Sequence, residues 1–286
     1  MSRFLKPLQE FVASKADFRI VYSTASSSSS SDTPEFVNNS TQRICVLDSS
    51  FNPPHLAHYA IIEESLKSNY DGIPIKNKVL LLLLSVQNAD KVHPQPEPFD
   101  QRLELISLMA DHIAANIPIT VAIGLTKQAM FVNKSLSILN YLDAQQQQTV
   151  QPGFKLTFLI GFDTLIRILN PKYYLPDKLS VSLEHFMKMT DLVCLTRHSE
   201  TVTINQQSVY VKEISLGQHE EIPSHWSKNI FILRNMNDEV ATFSSSGIRK
   251  EIESGNPEWK KQVLPEVAEY IEEHNLYKEK EALEKT

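Results

Sequence analysis

One run in this chain limits its fold more than any other: Val79-Leu80-Leu81-Leu82-Leu83-Leu84, set between Lys78 and Ser85. A surface helix would place apolar residues every three or four positions, and a half-exposed strand would alternate apolar with polar. A run that does neither fits a strand covered on both faces, the situation of strands in a parallel sheet wrapped by helices. It is far too short to span a bilayer, which takes about 20 apolar residues.

Similar apolar runs recur at Arg43–Asp48, 117–124, Lys155–Gly161, 192–196 and Ile230–Leu233, and predict further strands. Helical spacing lies between them. Residues 53–68 place Leu56, Ala60, Ile61 and Leu66 on one side, and residues 99–115 carry a stripe of Leu103, Ile106, Met109 and Ala110. Residues 133–144, 246–253 and 263–274 are also expected to be helical. Strand and helix in alternation imply an α/β fold, a mostly parallel sheet with helices on both faces. Such sheets bind ligands beyond the carboxyl ends of their strands, where the strand order reverses.

The organisation expected is an N-terminal extension over 1–42, a single domain over 43–277 and a short charged tail over 278–286. Residues 1–22 suit a helix and a short strand. The serines at 26–31 read as a flexible surface loop, and the glutamines at 145–148 as a second. Apolar residues make up 42% of the chain, enough for a sizeable core, and the net charge of -6 argues against a general nucleic-acid binder. Cys45 and Cys194 each sit inside an apolar run, so neither a disulfide framework nor a zinc cluster is expected. No apolar leader or membrane span is visible, and a reducing compartment, cytosol or nucleus, is the expectation.

Chemistry is sought in the loops that follow strands. After Asp48 comes Ser49-Ser50-Phe51-Asn52-Pro53-Pro54-His55-Leu56-Ala57-His58. Asn52 suits a helix N-cap and Pro53 the first helical position. A helix N-terminus offers free N–H groups and the positive end of a dipole, and so binds phosphate. His55 and His58, three apart, share a face of the first turn and could touch phosphate oxygens. On spacing alone, an ordinary helix start with surface histidines, or a histidine pair for a metal, fits as well.

The segment Ser50-Phe51-Asn52-Pro53-Pro54-His55-Leu56-Ala57-His58 resembles the phosphate-binding signature of the HxGH nucleotidyltransferases. It is closest to the nicotinamide mononucleotide adenylyltransferases, whose loop reads G-[ST]-F-N-P-x-[TH]-x-x-H. Ser49 stands for the family's first glycine, and Ala57 for the glycine of HxGH. Four more segments resemble the family in the same order. Asn88-Ala89-Asp90-Lys91 supplies a lysine for the phosphates, with Arg102 on the next helix. Gly161-Phe162-Asp163-Thr164-Leu165 matches G-x-D-x-L, Cys194-Leu195-Thr196-Arg197 ends a strand in arginine, and Ser244-Ser245-Ser246-Gly247-Ile248-Arg249 matches S-S-T-x-[IV]-R. The family's stacking tryptophan is missing, and Tyr173 or Tyr174 stands nearby. Several of these wordings are especially similar to the fungal promoter-of-filamentation proteins, a divergent branch.

The resemblance implies a Rossmann-like, nucleotidyltransferase-type fold and adenylyl transfer from ATP to nicotinamide mononucleotide, with Mg²⁺ arriving on the ATP. It implies catalytic roles for His58, His55 and Arg249. ATP would be bound by Ser49, Ser50, Phe51, Asn52, His55, His58, Lys91, Gly161, Asp163, Ser244, Ser245, Ser246 and Arg249. The acceptor would be bound by Ser50, Phe51, Lys91, Arg197 and Tyr173, and no side chain is expected to ligate metal. Other phosphate acceptors, nicotinate mononucleotide among them, remain open. So does an ATP-binding or ATP-hydrolysing module that acts through a protein partner.

Overall fold

A computed structural model describes residues 2–25, 35–86, 97–145, 153–199, 201–235 and 237–278. The serines at 26–31, most of the glutamine run and most of the tail lie outside the described residues, as does Lys91. The elements in chain order are α1 (Leu5–Ala13), β1 (Phe18–Ser23), β2 (Arg43–Asp48), α2 (Leu56–Lys67), β3 (Lys78–Ser85), α3 (Phe99–Asn116), β4 (Thr120–Thr126) and α4 (Phe131–Ala144). They continue with β5 (Lys155–Gly161), α5 (Phe162–Ile168), α6 (Leu179–Met189), β6 (Thr190–Leu195), α7 (Ile204–Ser215), β7 (Ile230–Leu233), α8 (Ser245–Glu253) and α9 (Pro265–Glu273).

The seven strands lie in the order β1-β4-β3-β2-β5-β6-β7. All neighbours pair in parallel except β1, which runs antiparallel to β4, with Phe18 opposite Thr126 and Ser23 opposite Ala122. Part of the segment expected to be an N-terminal extension is therefore an edge strand of the domain's own sheet. From β2 the chain steps outward to β3 and β4, then returns to build β5, β6 and β7 on the other side. The strand order reverses between β2 and β5, where a crevice opens in sheets of this kind.

β3 is buried on both faces, as its sequence demands. Leu80, Leu82 and Leu84 join the core packed by α1, α2, α3, α8 and α9, while Val79, Leu81 and Leu83 join the core packed by α4, α5, α6 and α7. Strand parity carries this division along β2. Cys45 and Leu47 face the first layer, Ile44 and Val46 the second, and Asp48 follows the second set toward α4.

Several boundaries differ from expectation. The helix after β2 begins at Leu56, not at Pro53, and its cap residue is His55, not Asn52. The reason is Pro54: a residue before proline is pushed out of the helical region toward extended backbone, which disfavours a helix start at Pro53. β4 starts at Thr120 and β6 at Thr190, and α4 and α8 begin slightly earlier than their apolar stripes suggest. α6 and α7 had no expected counterpart.

Candidate active site

A cavity of about 250 Å³ lies at the reversal of strand order. The carboxyl ends of β2, β5 and β6 floor it with Leu47, Asp48, Leu159, Ile160, Gly161 and Leu195. α2 contributes His58 and Ala57, with His55 just before it, and the residues leading into α8 contribute Ser244 and Ser245. Asp163 and Thr164 enter from α5, and Thr196, Arg197 and Asn235 from the segments after β6 and β7.

The loop between β2 and α2 is compact. Phe51 has φ 45°, in the left-handed region that a bulky residue rarely occupies, and its side chain is wholly buried. Its ring centroid lies 5.1 Å from that of His58, so the ring supports the histidine from beneath. Any contact between Phe51 and a ligand must come through its backbone. The φ outlier is thus at Phe51, whereas Ser49, in the family's glycine position, keeps an ordinary backbone angle.

His58 is fixed at both nitrogens. Nδ1 accepts the backbone N–H of His55 at 3.1 Å, so the proton of the neutral ring sits on Nε2, which lies 2.8 Å from Ser49 Oγ. Burial, and then the nearby Arg197 charge, push His58 down to about 3. His55, whose ring centroid is 3.8 Å from that of His58, is also held well below the usual imidazole value, by burial first and then by His58 and Arg197. Two neutral imidazoles therefore face the cavity near neutral pH. His58 already carries its proton on the side of Ser49, so it cannot also take the proton of that hydroxyl. A serine–histidine nucleophile is excluded, and His58 serves as a hydrogen-bond donor.

A second contact set joins α8 to the loop. Ser244 caps α8 by accepting the N–H of Gly247 at 3.2 Å, Ser245 Oγ donates to the carbonyl of Pro53 at 2.8 Å, and Arg249 Nη1 donates to the carbonyl of Asn52 at 2.6 Å. Two helix N-termini, those of α2 and α8, are thereby fastened side by side. Across the cavity, Asp163 Oδ1 meets Arg197 Nη1 at 3.2 Å. A Cβ at Gly161 would lie 2.9 Å from Asp163 Oδ1, so a side chain there would displace that carboxylate from its place beside Arg197. Gly161 is the N-cap residue of α5, and Asp163 lies in its first turn.

Of the residues singled out in the sequence, Ser49, His55, His58, Gly161, Asp163, Arg197, Ser244 and Ser245 line the cavity. Ser50, Phe51, Asn52, Ser246 and Arg249 stand behind or beside its wall. Tyr173 is outside the lining, with Lys172 Nζ 4.8 Å from its ring centre, and Tyr174 is committed to the carbonyl of Ile168 at 2.7 Å. Sequence inspection missed Asp48 and its partner Lys134, Nζ to Oδ2 at 2.5 Å, both largely buried. Lys134, a lone lysine in an apolar helix, was the available signal. It also missed the link from Thr196 Oγ1 to the backbone N–H of Asn235, 2.9 Å, which ties the ends of β6 and β7. Among the described residues no three His, Cys, Asp or Glu side chains gather as metal ligands, and no helix is long and apolar enough to cross a membrane.

No family model matches the chain. Individual proteins do. A Schizosaccharomyces pombe protein named "Putative nicotinamide mononucleotide adenylyltransferase" is 35% identical over 228 residues, covering 79% of this chain and 82% of its own. A Listeria monocytogenes protein named "Probable nicotinate-nucleotide adenylyltransferase" is 27% identical over 239 residues, covering 83% and 98%. Among solved structures, a Plasmodium falciparum nicotinic acid mononucleotide adenylyltransferase complexed with NaAD aligns with a TM-score of 0.48 at 17% identity, over 82% of this chain and 97% of that one.

Proposed function

Since the chain belongs to the nicotinamide and nicotinate mononucleotide adenylyltransferase family of nucleotidyltransferase enzymes, we propose that its reaction is transfer of the adenylyl group of Mg-ATP to the phosphate of nicotinamide mononucleotide, giving NAD and pyrophosphate. The observation that carries this is the state of His58: a neutral donor, locked in one tautomer, between two adjoining helix N-termini. That is equipment for holding phosphates and for stabilising charge that grows on their oxygens.

An oxygen of the acceptor's 5′-phosphate attacks the α-phosphorus of ATP. The bond from that phosphorus to the β-bridging oxygen breaks, and pyrophosphate leaves with the electron pair. The attacking oxygen is already ionised near neutral pH, so the step needs no general base. The protein's task is alignment and charge stabilisation. His55 donates to the α-phosphate, and so does His58, whose Nε2–H exchanges Ser49 Oγ for a phosphate oxygen when ATP binds. Ser244 and Ser245 at the start of α8 hold the triphosphate with Arg249, whose other N–H groups remain available once Nη1 is on Asn52, and with Lys91. Arg suits phosphate because its planar fork meets two oxygens at once. Mg²⁺ enters as part of the ATP substrate.

The test is NAD formation from Mg-ATP and nicotinamide mononucleotide, followed through a coupled alcohol dehydrogenase, for the wild type and for His58→Ala. The wild type should make NAD, and the variant should lose about 10²–10³ in turnover, the usual cost of removing one transition-state donor. ATP binding without acceptor-dependent pyrophosphate release would overturn the proposal.

A further inference from the structure

The cavity is built from both helix layers of the sheet, and the two layers supply opposite chemistry. The layer of α2 and α8 brings His55, His58, Ser244 and Ser245, none of which carries a negative charge. The layer of α4 and α5 brings carboxylates, Asp48 and Asp163. Phosphates belong on the first wall, because carboxylates on the second repel them.

The two carboxylates are not equivalent. The counter-ion of Asp163 is Arg197, which itself lines the cavity, so that pair presents both signs to a ligand. The counter-ion of Asp48 is Lys134, which does not line the cavity. Lys134 reaches the carboxylate from behind, out of α4, and holds Oδ2 at 2.5 Å; its side chain is only 6% exposed. Among the described residues Oδ1 accepts no hydrogen bond. The buried pair therefore turns its negative end to the ligand. Burying it is tolerable only because the lysine neutralises it.

A pyridine mononucleotide carries a cationic ring, which an acidic wall attracts. It also carries, on that ring, either a carboxamide or a carboxylate. The carboxamide N–H can donate to Asp48 Oδ1. The carboxylate has no donor and brings a like charge. A site built to accept from a substrate N–H rejects the analogue that lacks it, because the acceptor is then left buried and unpaired.

We propose that Asp48, held by Lys134, is a specificity-determining residue that selects the amidated pyridine mononucleotide over its acid. The inference rests on the adenylyl-transfer reaction proposed above. Asp48→Asn preserves shape but replaces the charge with an amide that can donate to a carboxylate, and it leaves Lys134 as an unpaired cation behind it.

The experiment compares kcat/KM for nicotinamide mononucleotide and nicotinate mononucleotide in the wild type, in Asp48→Asn and in Asp163→Asn, with the KM for ATP measured for each. The wild type should prefer the amide. Asp48→Asn should shift the ratio toward the acid by roughly 10- to 100-fold, the worth of a hydrogen bond to a charged group, with the KM for ATP little changed. Asp163→Asn should move the ratio less. An unchanged ratio in Asp48→Asn, a change confined to the KM for ATP, or an equal shift in Asp163→Asn would each overturn the assignment. A wild type inactive with both acceptors would instead refute the reaction itself. Should Asp48→Asn fail to fold, Lys134→Met tests the same pair: the ratio must again depart from that of the wild type, and an unchanged ratio in a folded Lys134→Met overturns the assignment.

Discussion

His58 is a neutral imidazole in a place that refuses protons, and this has a consequence for stability. Its folded-state pKa, about 3, lies below the ordinary value of 6.5, and His55 is shifted in the same direction. Below about pH 6.5 the unfolded chain takes up protons that the folded chain does not. Stability is therefore highest above that pH and is lost as pH falls toward the folded value, at up to about 1.4 kcal/mol per pH unit for each histidine. Urea unfolding of the wild type between pH 7.5 and pH 5 should show a falling midpoint. His58→Asn, which removes one of the two titrations, should flatten that dependence. An identical slope in the variant would mean that His58 titrates in the folded protein as it does in the unfolded chain.

At the scale of elements, the N-termini of α2 and α8 act as one unit, joined by the contacts of Ser245 and Arg249 with the carbonyls of Pro53 and Asn52. Ser244→Ala removes the cap of α8 and should cost about 1 kcal/mol, the common value for such a change. It should also raise the KM for ATP more than it lowers kcat, because it loosens a binding surface while His58 stays in place. Denaturant titration and steady-state kinetics read the two effects separately. This is also the scale at which the sequence was most and least informative. The strands Arg43–Asp48 and Lys78–Ser85 could be placed because a strand covered on both faces has no polar interruption to confuse its ends, and Lys155–Gly161 and Ile230–Leu233 because their apolar runs are short and sharply bounded. The start of α2 could not, because Asn52-Pro53 looks like a cap followed by a first turn until the effect of Pro54 is considered. α6 and α7 escaped for a different reason: Val181 and Val209 stand exposed, off the buried stripe, and blur its helical period. Most of the cavity-lining histidine, serine and arginine positions could be named from local wording. The Asp48–Lys134 pair could not, because nothing local says that residues so far apart in the chain will meet.

At the scale of the whole molecule, the two rims of the sheet do different work. At the amino-terminal rim Asp71 meets Lys78 at 2.8 Å and Arg43 at 3.3 Å, each of them the first residue of its strand. Further along that rim, Asp191 takes Lys155 and Asn229, each at 2.9 Å. The cavity occupies the opposite rim. Asp71→Ala would strand two buried cations and should cost about 3–5 kcal/mol, as breaking a buried pair does. The kcat/KM of the remaining folded enzyme should equal that of the wild type, and calorimetry beside active-site titration would show whether the rims are independent.

The reversal of strand order also sets a timetable. β2 can bond β3 as soon as both exist, but its other edge waits for β5, whose Leu156 pairs with Ile44. A growing chain that has left the ribosome only through β4 can lay down half a sheet in which β2, an interior strand of the finished protein, is a bare edge. Such an edge, short and apolar, is open to pairing with other chains. The crevice beside that edge does not yet exist, since one of its walls has not been made. The capacity to hold a nucleotide arrives late in the protein's synthesis, completed only by the start of α8, and cannot help the early half to fold.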